Sequence, residues 1–473
     1  MRKGCHMYNK FNLKIDFENA SWIFRDEVDK RHINTQLLYM HIKENHPIII
    51  TPTSIYIYNS HGVYMSVSDT DFKAFIKEFI PVEIRKKKLW EAVYDEFKTN
   101  FTVAERHFNR DENIINFKNG ILKVDTNELL PHNKDILSTI QIPCNYIHNA
   151  DLNDAPVFKQ YLQDLIGDDE LTKQFLLEYM GAILSNVPGY KFKKLLMLVG
   201  PGNTGKTQLR ELIISLIGKH NSISIDLKNL NDTFGTAPLH NKRLAGCGDM
   251  SYARVGEINI LKDLTGGDEI FANVKYKPQF SFKYQGFLWY NCNDLPKFGG
   301  DTGGHVYERF NIIHCKNIIP NEKRDPYLLE KMLTEKDIIA SACIQYFKNA
   351  IDRGYKFTES ESIKNNRIKY IADNNTLLTF VEHYCNIGVG KTLRSDFNAE
   401  YMAWCRENKL HAEKSHNIAK ILFDYYGLEA HKSSDYYYNL TVETEYIQEV
   451  NAFVERMKNC YSDNNSRRQR LKN

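Results

Sequence analysis

The stretch GPGNTGKT, Gly200 to Thr207, constrains this chain more than any other. Five apolar residues, Leu195 to Val199, precede it, and Leu209, Leu212, Ile213, Leu216 and Ile217 follow at helical spacing up to Gly218. A buried-strand run, a glycine-rich loop and a helix in that order make the strand–loop–helix unit of an α/β core. The glycines let backbone N–H groups approach anionic oxygens, and the helix N-terminus adds partial positive charge. The pattern G-x-x-x-x-G-K-[ST] therefore points to a loop that cradles the phosphates of ATP. Lys206 is expected at the β- and γ-phosphates and Thr207 on Mg²⁺, with Gly200, Pro201, Gly202, Asn203, Thr204, Gly205 and Gln208 completing the binding set. A glycine-rich turn carrying a surface lysine is the plain alternative, and the flanking strand and helix argue against it. The loop does not say what the nucleotide is used for.

At 473 residues the chain is too long for one compact core, so about two to four domains are expected. A formal charge of +3 is nearly neutral, so nucleic-acid contact has to come from local basic surfaces. No apolar run approaches the length of a bilayer span, and the first residues lack the apolar core of a signal peptide. The nine cysteines are scattered, with no C-x-x-C pair, which argues for a reducing compartment and against a zinc site. The expected location is the cytoplasm.

Four further segments follow within about 110 residues of the loop. NKRLAGCGDMS carries Asp249 after a short, weakly apolar run, expected as a second carboxylate-bearing strand beside the loop. NILKDLTGGDEIFANVKYKPQFSF leads to GFLWYNCNDLPKF, with Asn291 and Asn293, and DTGGHVYERFNIIHC carries Arg309. This ordered set resembles the superfamily 3 helicases, in the phage, plasmid and poxvirus-type primase–helicase branch, and most resembles replication initiators of staphylococcal phages and pathogenicity islands. NIINFKNGILKVDTNELLPHNKDILSTIQIPCNY resembles the N-terminal domain that precedes the motor in that branch.

The resemblance implies roles that the residue chemistry also allows. Asp249 would hold Mg²⁺ through water opposite Thr207. Many relatives carry two adjacent acids there, whereas Met250 follows Asp249 here, which leaves the water-activating residue unassigned. Asn293 resembles the sensor asparagine that orients the attacking water, and Asn291 is the competing assignment. Arg309 matches an arginine finger supplied by the neighbouring subunit, so the resemblance implies a homohexamer. Lys275, Tyr276 and Lys277 resemble a hairpin in the central channel, offering phosphate charge and stacking to DNA. Lysines guarding an exposed strand edge are the alternative there.

The flanking regions are less explicit. HPIIITPTSIYIYNSHGVYMSVS reads as an antiparallel hairpin turning at Asn59–Gly62, followed by a helix with Phe72, Phe75, Ile76 and Phe79 on one face. Asp69 and Asp71 have the spacing of a two-metal primase site, but their place at the start of that helix reads as capping. Residues 158–184 are helical in pattern, and TESESIKNNRIKYIADNN reads as a linker or exposed helix. Three helical stretches and a strand pair, LEAHKSSDYYYNLTV, then suit a winged helix, with Ser415, His416, Asn417 and Lys420 facing DNA from its third helix and His431 and Lys432 on the wing.

The expected fold class is α/β: an AAA+-like P-loop NTPase core with a mixed α/β N-terminal domain and a C-terminal winged helix. The expected boundaries are 1–150 for the N-terminal domain, 151–190 for a helical collar, 191–350 for the core, 351–374 for a linker, 375–450 for the winged helix and 451–473 for a basic tail. The function expected is an ATP- and Mg²⁺-dependent, ring-forming DNA helicase that initiates replication of a mobile element in a bacterial host, moving 3′ to 5′ as the resemblance implies. Its expected partners are single- and double-stranded DNA, an origin sequence among them, and a primase or host replication proteins, with no membrane. An ATP-regulated origin-binding initiator without processive unwinding is the main rival. A small-molecule P-loop kinase is a third reading, which leaves the VKYK hairpin and Arg309 unexplained.

Overall fold

The computed structural model describes residues 15–51, 54–100, 108–250, 254–255, 259–275, 279–298, 304–408, 410, 412–428 and 435–442. The chain divides into two compact units, one of Met1–Pro296 with Arg309–Ile363 and the other of Lys297–Glu308 with Lys364–Asn473.

The first unit begins with an antiparallel sheet of Ile48–Ile50, Ile55–Tyr58 and Tyr64–Val67, covered by helices Thr35–Asn45, Asp69–Glu78 and Lys87–Thr99. Leu38, Ile42, Phe72, Phe75, Ile76, Phe79 and Phe97 are buried in one core. The Asn59 side chain closes the hairpin, accepting from His61 N at 3.0 Å and Val63 N at 3.2 Å. Helix Asp69–Glu78 starts on an N-cap, where Ser68 Oγ accepts from Asp71 N at 3.0 Å. Asp69 lies instead 3.6 Å from Lys98 Nζ, so the two aspartates serve a helix start.

A second antiparallel sheet, Ile114–Phe117, Gly120–Lys123 and Glu128–Leu130, shares a continuous core with the elements that follow it in the unit. The helical stretch expected at 158–184 is two helices, Pro156–Ile166 and Glu170–Leu184, broken at Gly167. Asp169 caps the second by accepting from Thr172 N at 2.9 Å. Polar Gly-Asp-Asp interrupts an otherwise unbroken apolar periodicity, which is why the pattern alone reads through it.

The centre of the unit is a five-stranded, all-parallel sheet. We number its strands β1 (Leu195–Val199), β2 (Ser222–Ser224), β3 (Leu244–Gly246), β4 (Phe287–Cys292) and β5 (Phe310–His314), with helix α1 (Lys206–Ile217) joining β1 to β2. Their order across the sheet is β2-β3-β4-β1-β5. The strand before Asp249 is one place removed from β1, with β4 between them, and its carboxyl end brings Asp249 beside the glycine-rich loop. All six residues of β4 are buried, so it needs a neighbour on each side, whereas β3 has only three residues and β2 at the edge is half-buried. Between β1 and β4 the order of strands reverses, and the crevice at such a reversal, beyond the carboxyl ends of the strands, is where open parallel sheets hold ligands.

In the second unit, helices Thr376–Tyr384, Arg394–Glu407 and Ser415–Tyr426 bury Leu377, Phe380, Phe397, Tyr401, Trp404, Ile418 and Leu422 against a two-stranded sheet. Strand Tyr436–Val442 pairs antiparallel with Cys385–Leu393. That partner lies between the first and second helices, and the first half of the strand pair expected within 428–442 lies outside the described residues. CNIGVGKTL carries two glycines that hide its β-branched alternation, and the pairing of its exposed backbone with Tyr436–Val442 makes it a strand. Residues 361–374 form a helix with Ile363, Arg367, Tyr370 and Ile371 buried.

Candidate functional site

The glycine-rich loop leaves the carboxyl end of β1 under tight constraint. Gly200 has φ +151°, and a Cβ there would lie 2.1 Å from the Cys315 carbonyl oxygen. Gly200 N donates to Cys292 O at 3.1 Å and Cys315 N donates to Val199 O at 2.7 Å, so β4 and β5 grip the start of the loop from both sides. Asn203 turns through φ +64° and Gly205 through φ +95°. Tyr161, from helix Pro156–Ile166, packs on Gly205 and donates from its hydroxyl to Gly205 O at 2.9 Å. The loop is thus held by the sheet below and by this helix beside it.

Lys206 opens α1 with its side chain folded back over the loop. Its Nζ donates to Gly200 O at 2.6 Å, Pro201 O at 2.8 Å and Thr204 Oγ1 at 3.2 Å, and the residue is 7% exposed. These are neutral acceptors, which an anion at the mouth of the loop can replace with stronger, charge-assisted ones. Thr207 is exposed, and its Oγ1 lies 3.5 Å from Gly248 O. Arg210, one turn on, donates from Nη2 to Gly246 O at 2.7 Å and ties α1 to β3. Burial lowers the Arg210 pKa from the usual guanidinium range.

A cleft of about 1140 Å³ opens over this loop. Gly202 to Gln208 form its floor, and Asp249 and Asn293 enter from the ends of β3 and β4. Helix Pro156–Ile166 makes one wall, with Tyr161 and Asp164, and the segment 317–331 makes the other, with Ile318, Arg324 and Lys331. Asn317 Nδ2 donates to Asp164 O at 2.9 Å and Ile319 N donates to Asn203 O at 2.9 Å, so the two walls and the loop are joined. Asp249 and Asn293 are both exposed to the cleft, whereas Asn291 is fully buried behind it. Burial pushes the Cys292 and Cys315 thiols up to about 12, which keeps both protonated at neutral pH. Among the described residues no group of three or more His, Cys, Asp and Glu is placed to hold a metal. The oxygen donors present, Thr207 and Asp249, suit an ion that keeps several water and phosphate ligands, as Mg²⁺ does.

Arg309 is not brought to this cleft. It immediately precedes β5, and its carbonyl accepts from Leu195 N at 2.7 Å, at the amino end of β1. The glycine-rich loop leaves the opposite end, roughly 17 Å away at 3.3 Å per strand residue. Arg309 Nη1 donates to Lys262 O at 2.5 Å and Thr265 Oγ1 at 2.6 Å. Burial lowers its pKa, opposed by the carboxylates of Asp268 and Asp263.

Strands Glu269–Ala272 and Phe280–Lys283 pair antiparallel and form a hairpin around the VKYK stretch. Lys275 is exposed, with Nζ 5.7 Å from the Phe234 ring centroid, and Phe271 beside it is 74% exposed. Tyr276 and Lys277 lie outside the described residues. In the second unit Ser415, His416 and Lys420 are exposed on helix Ser415–Tyr426, while Asn417 donates from Nδ2 to Glu413 Oε1 at 2.7 Å. His431 and Lys432 lie outside the described residues. Lys391, with Nζ 4.7 Å from the Tyr436 ring centroid, is a basic–aromatic pair that sequence reading missed because its strand was not recognised. Tyr161 and the 317–331 wall were missed too. No motif marks them, and only the packing brings them to the loop.

A D5 N-terminal-like family model matches residues 10–167, and the model of a family of unknown function, DUF5906, matches residues 198–309. A protein described as a "putative helicase" from Acanthamoeba polyphaga mimivirus is 27% identical over 216 residues, covering 43% of this chain. The match spans 22% of that relative, about a fifth of its length. The chain is thus similar, over less than half its length, to a viral protein described as a putative helicase. Among solved structures, an apo form of the NrS-1 C-terminal region matches 78% of this chain and 79% of its own, at 14% identity and a TM-score of 0.48. A second apo structure of that region matches 85% of this chain and 97% of its own, at 14% identity and a TM-score of 0.45. Among the described residues no helix is long and apolar enough to cross a membrane.

Proposed function

We propose that the chain is an ATP-driven, ring-forming DNA helicase of the superfamily 3 type, and that it initiates replication of a mobile element, of the staphylococcal phage or pathogenicity-island kind, in the bacterial cytoplasm. The observation that carries this is the convergence of Lys206, Thr207, Asp249 and Asn293 on one cleft, from the ends of β1, β3 and β4. In this reading the parallel sheet is an AAA+-like P-loop core. Lys206 exchanges its loop carbonyls for the β- and γ-phosphate oxygens, and Asn293 orients the attacking water. Thr207 and Asp249 would hold Mg²⁺, and the ion would supply positive charge against the charge that develops on the transferred phosphoryl group.

Arg309 supports a site shared between subunits. It sits a strand's length from its own cleft, so a guanidinium there serves a γ-phosphate only across an interface. Such sharing calls for a closed ring, and the resemblance suggests six subunits. The hairpin carrying Lys275, Tyr276 and Lys277 would contact single-stranded DNA in the ring. The second unit, read as a winged helix, would contact duplex DNA through Ser415, His416, Asn417, Lys420 and Lys432. Primase and host replication proteins are the partners such an initiator calls for.

The test is strand displacement on a forked duplex with ATP and Mg²⁺. Wild type is expected to unwind, and Lys206→Ala and Arg309→Ala are not. A wild-type ring that hydrolyses ATP on DNA yet separates no strands would favour an initiator without processive unwinding. ATPase activity indifferent to DNA would sink the motor reading.

A further inference from the structure

We propose that Asn291 is a positioning residue that holds Lys206 and Asp249 in register, a role that rests on reading the cleft as the ATP–Mg²⁺ site. Asn291 lies on β4, which separates β1 from β3, and its side chain is fully buried. Its amide oxygen accepts from Trp289 Nε1 at 2.9 Å, and its amide nitrogen donates to the Lys206 carbonyl at 2.9 Å. The indole is a donor only, so the amide can face one way alone, with its NH₂ toward Lys206. The main chain of the same residue grips the other half of the site. Asn291 N donates to Cys247 O at 3.0 Å and Met250 N donates to Asn291 O at 2.8 Å. Cys247 and Met250 bracket Gly248 and Asp249, so the Asp249 turn hangs from Asn291 by both ends.

The consequence is geometric. Lys206 and Thr207 start a helix that follows β1, and Asp249 sits on a turn that follows β3, two strands away. Without a link through β4, the position of Thr207 relative to Asp249 would depend on the accumulated play of the intervening contacts. A positioning error of this kind falls on the reaction more heavily than on the fold, because the reacting geometry is narrow. The alanine test usual for a catalytic residue is uninformative here, since Asn291 does not itself line the cleft and acts through Lys206 and the Asp249 turn.

Two variants of the full chain test the idea. Asn291→Asp keeps the shape but turns an acceptor toward the Lys206 carbonyl. Trp289→Phe keeps Asn291 and removes only the indole N–H that orients its amide. Both are expected to lower ATPase kcat by about tenfold, the scale of one oriented buried hydrogen bond. Both are also expected to raise the Mg²⁺ concentration for half-maximal rate several-fold, because the lost register lies between Thr207 and Asp249. The second readout separates positioning from stability, since a lower melting temperature alone does not change the metal requirement of the folded fraction. Folded variants with wild-type kcat and Mg²⁺ dependence, beside an active wild type, overturn the inference and leave the nucleotide reading standing. If Asn291→Asp does not fold, Trp289→Phe decides alone. A wild-type chain without ATPase overturns the nucleotide reading and the inference with it.

Discussion

Tyr161 donates its hydroxyl hydrogen to the carbonyl of Gly205, 2.9 Å away, and so fastens helix Pro156–Ile166 to the last glycine of the glycine-rich loop. The tyrosine is 3% exposed, and its ring also lies where a Cβ on Gly205 would stand, 3.1 Å away. Tyr161→Phe keeps the packing and removes one hydrogen bond of net worth about 1 kcal/mol. ATP binding, measured by titration with a fluorescent analogue, is expected to weaken by about fivefold with little change in melting temperature.

Glu335 holds the same helix from its other end. Its two carboxylate oxygens accept from Val157 N at 3.0 Å and Phe158 N at 2.9 Å, where the local N-cap, Ala155, offers no side-chain acceptor. A distant glutamate thus does the work of a capping residue and favours the helix dipole. Glu335→Ala is expected to cost about 1–2 kcal/mol of stability in chemical denaturation, with Glu335→Gln recovering part of it.

The position of Arg309 predicts complementation. Arg309→Ala and Lys206→Ala subunits are each expected to lack ATPase activity alone. Mixed in equal amounts before assembly, they are expected to recover a fraction of it, because some interfaces then pair an intact loop with an intact arginine. Mixtures as inactive as the parents would place Arg309 outside a shared site.

The N-terminal core carries an acid-sensitive pair. Burial lowers the His46 pKa, with His41 adding to the shift, and burial likewise lowers that of His41. Both rings pack on aromatic neighbours, His46 on Phe75 and Phe79 and His41 on Trp22. Unfolded imidazoles titrate near about 6.5, above the folded values, so the unfolded state binds more protons between the two. Stability is therefore full above that pH and is lost as pH falls through the folded values. Hydrogen exchange in peptides from residues 35–100, corrected for intrinsic rate, is expected to accelerate below that pH, and His46→Leu is expected to flatten the dependence.

Much of the site was legible because its chemistry is local. Eight consecutive residues specify the glycine-rich loop, and the apolar runs on either side specify the strand and helix that carry it. The antiparallel turn at Asn59 was legible for the same reason, whereas the hairpin around Lys275 came from the resemblance. The choice between Asn291 and Asn293 was not. The two asparagines flank one cysteine on one strand, and period-two alternation puts both on the same face. What separates them is that β4 ends at Cys292, so Asn291 is enclosed by neighbouring strands while Asn293 has passed beyond them into the cleft.

The sequence by itself determined the loop, its flanking elements and the types of side chain available to phosphate, metal and DNA, since each depends on neighbours a few residues apart. Only the tertiary structure decided which of those side chains meet. Strand order put β4 between β1 and β3 and separated Arg309 from Lys206 by the length of a strand, and the packing brought Tyr161 and the 317–331 wall to a loop that no motif links them to, with Glu335 at the start of the Tyr161 helix. The physical reason is that sheet order follows from burying each strand on both sides, which is a property of the whole core rather than of any segment.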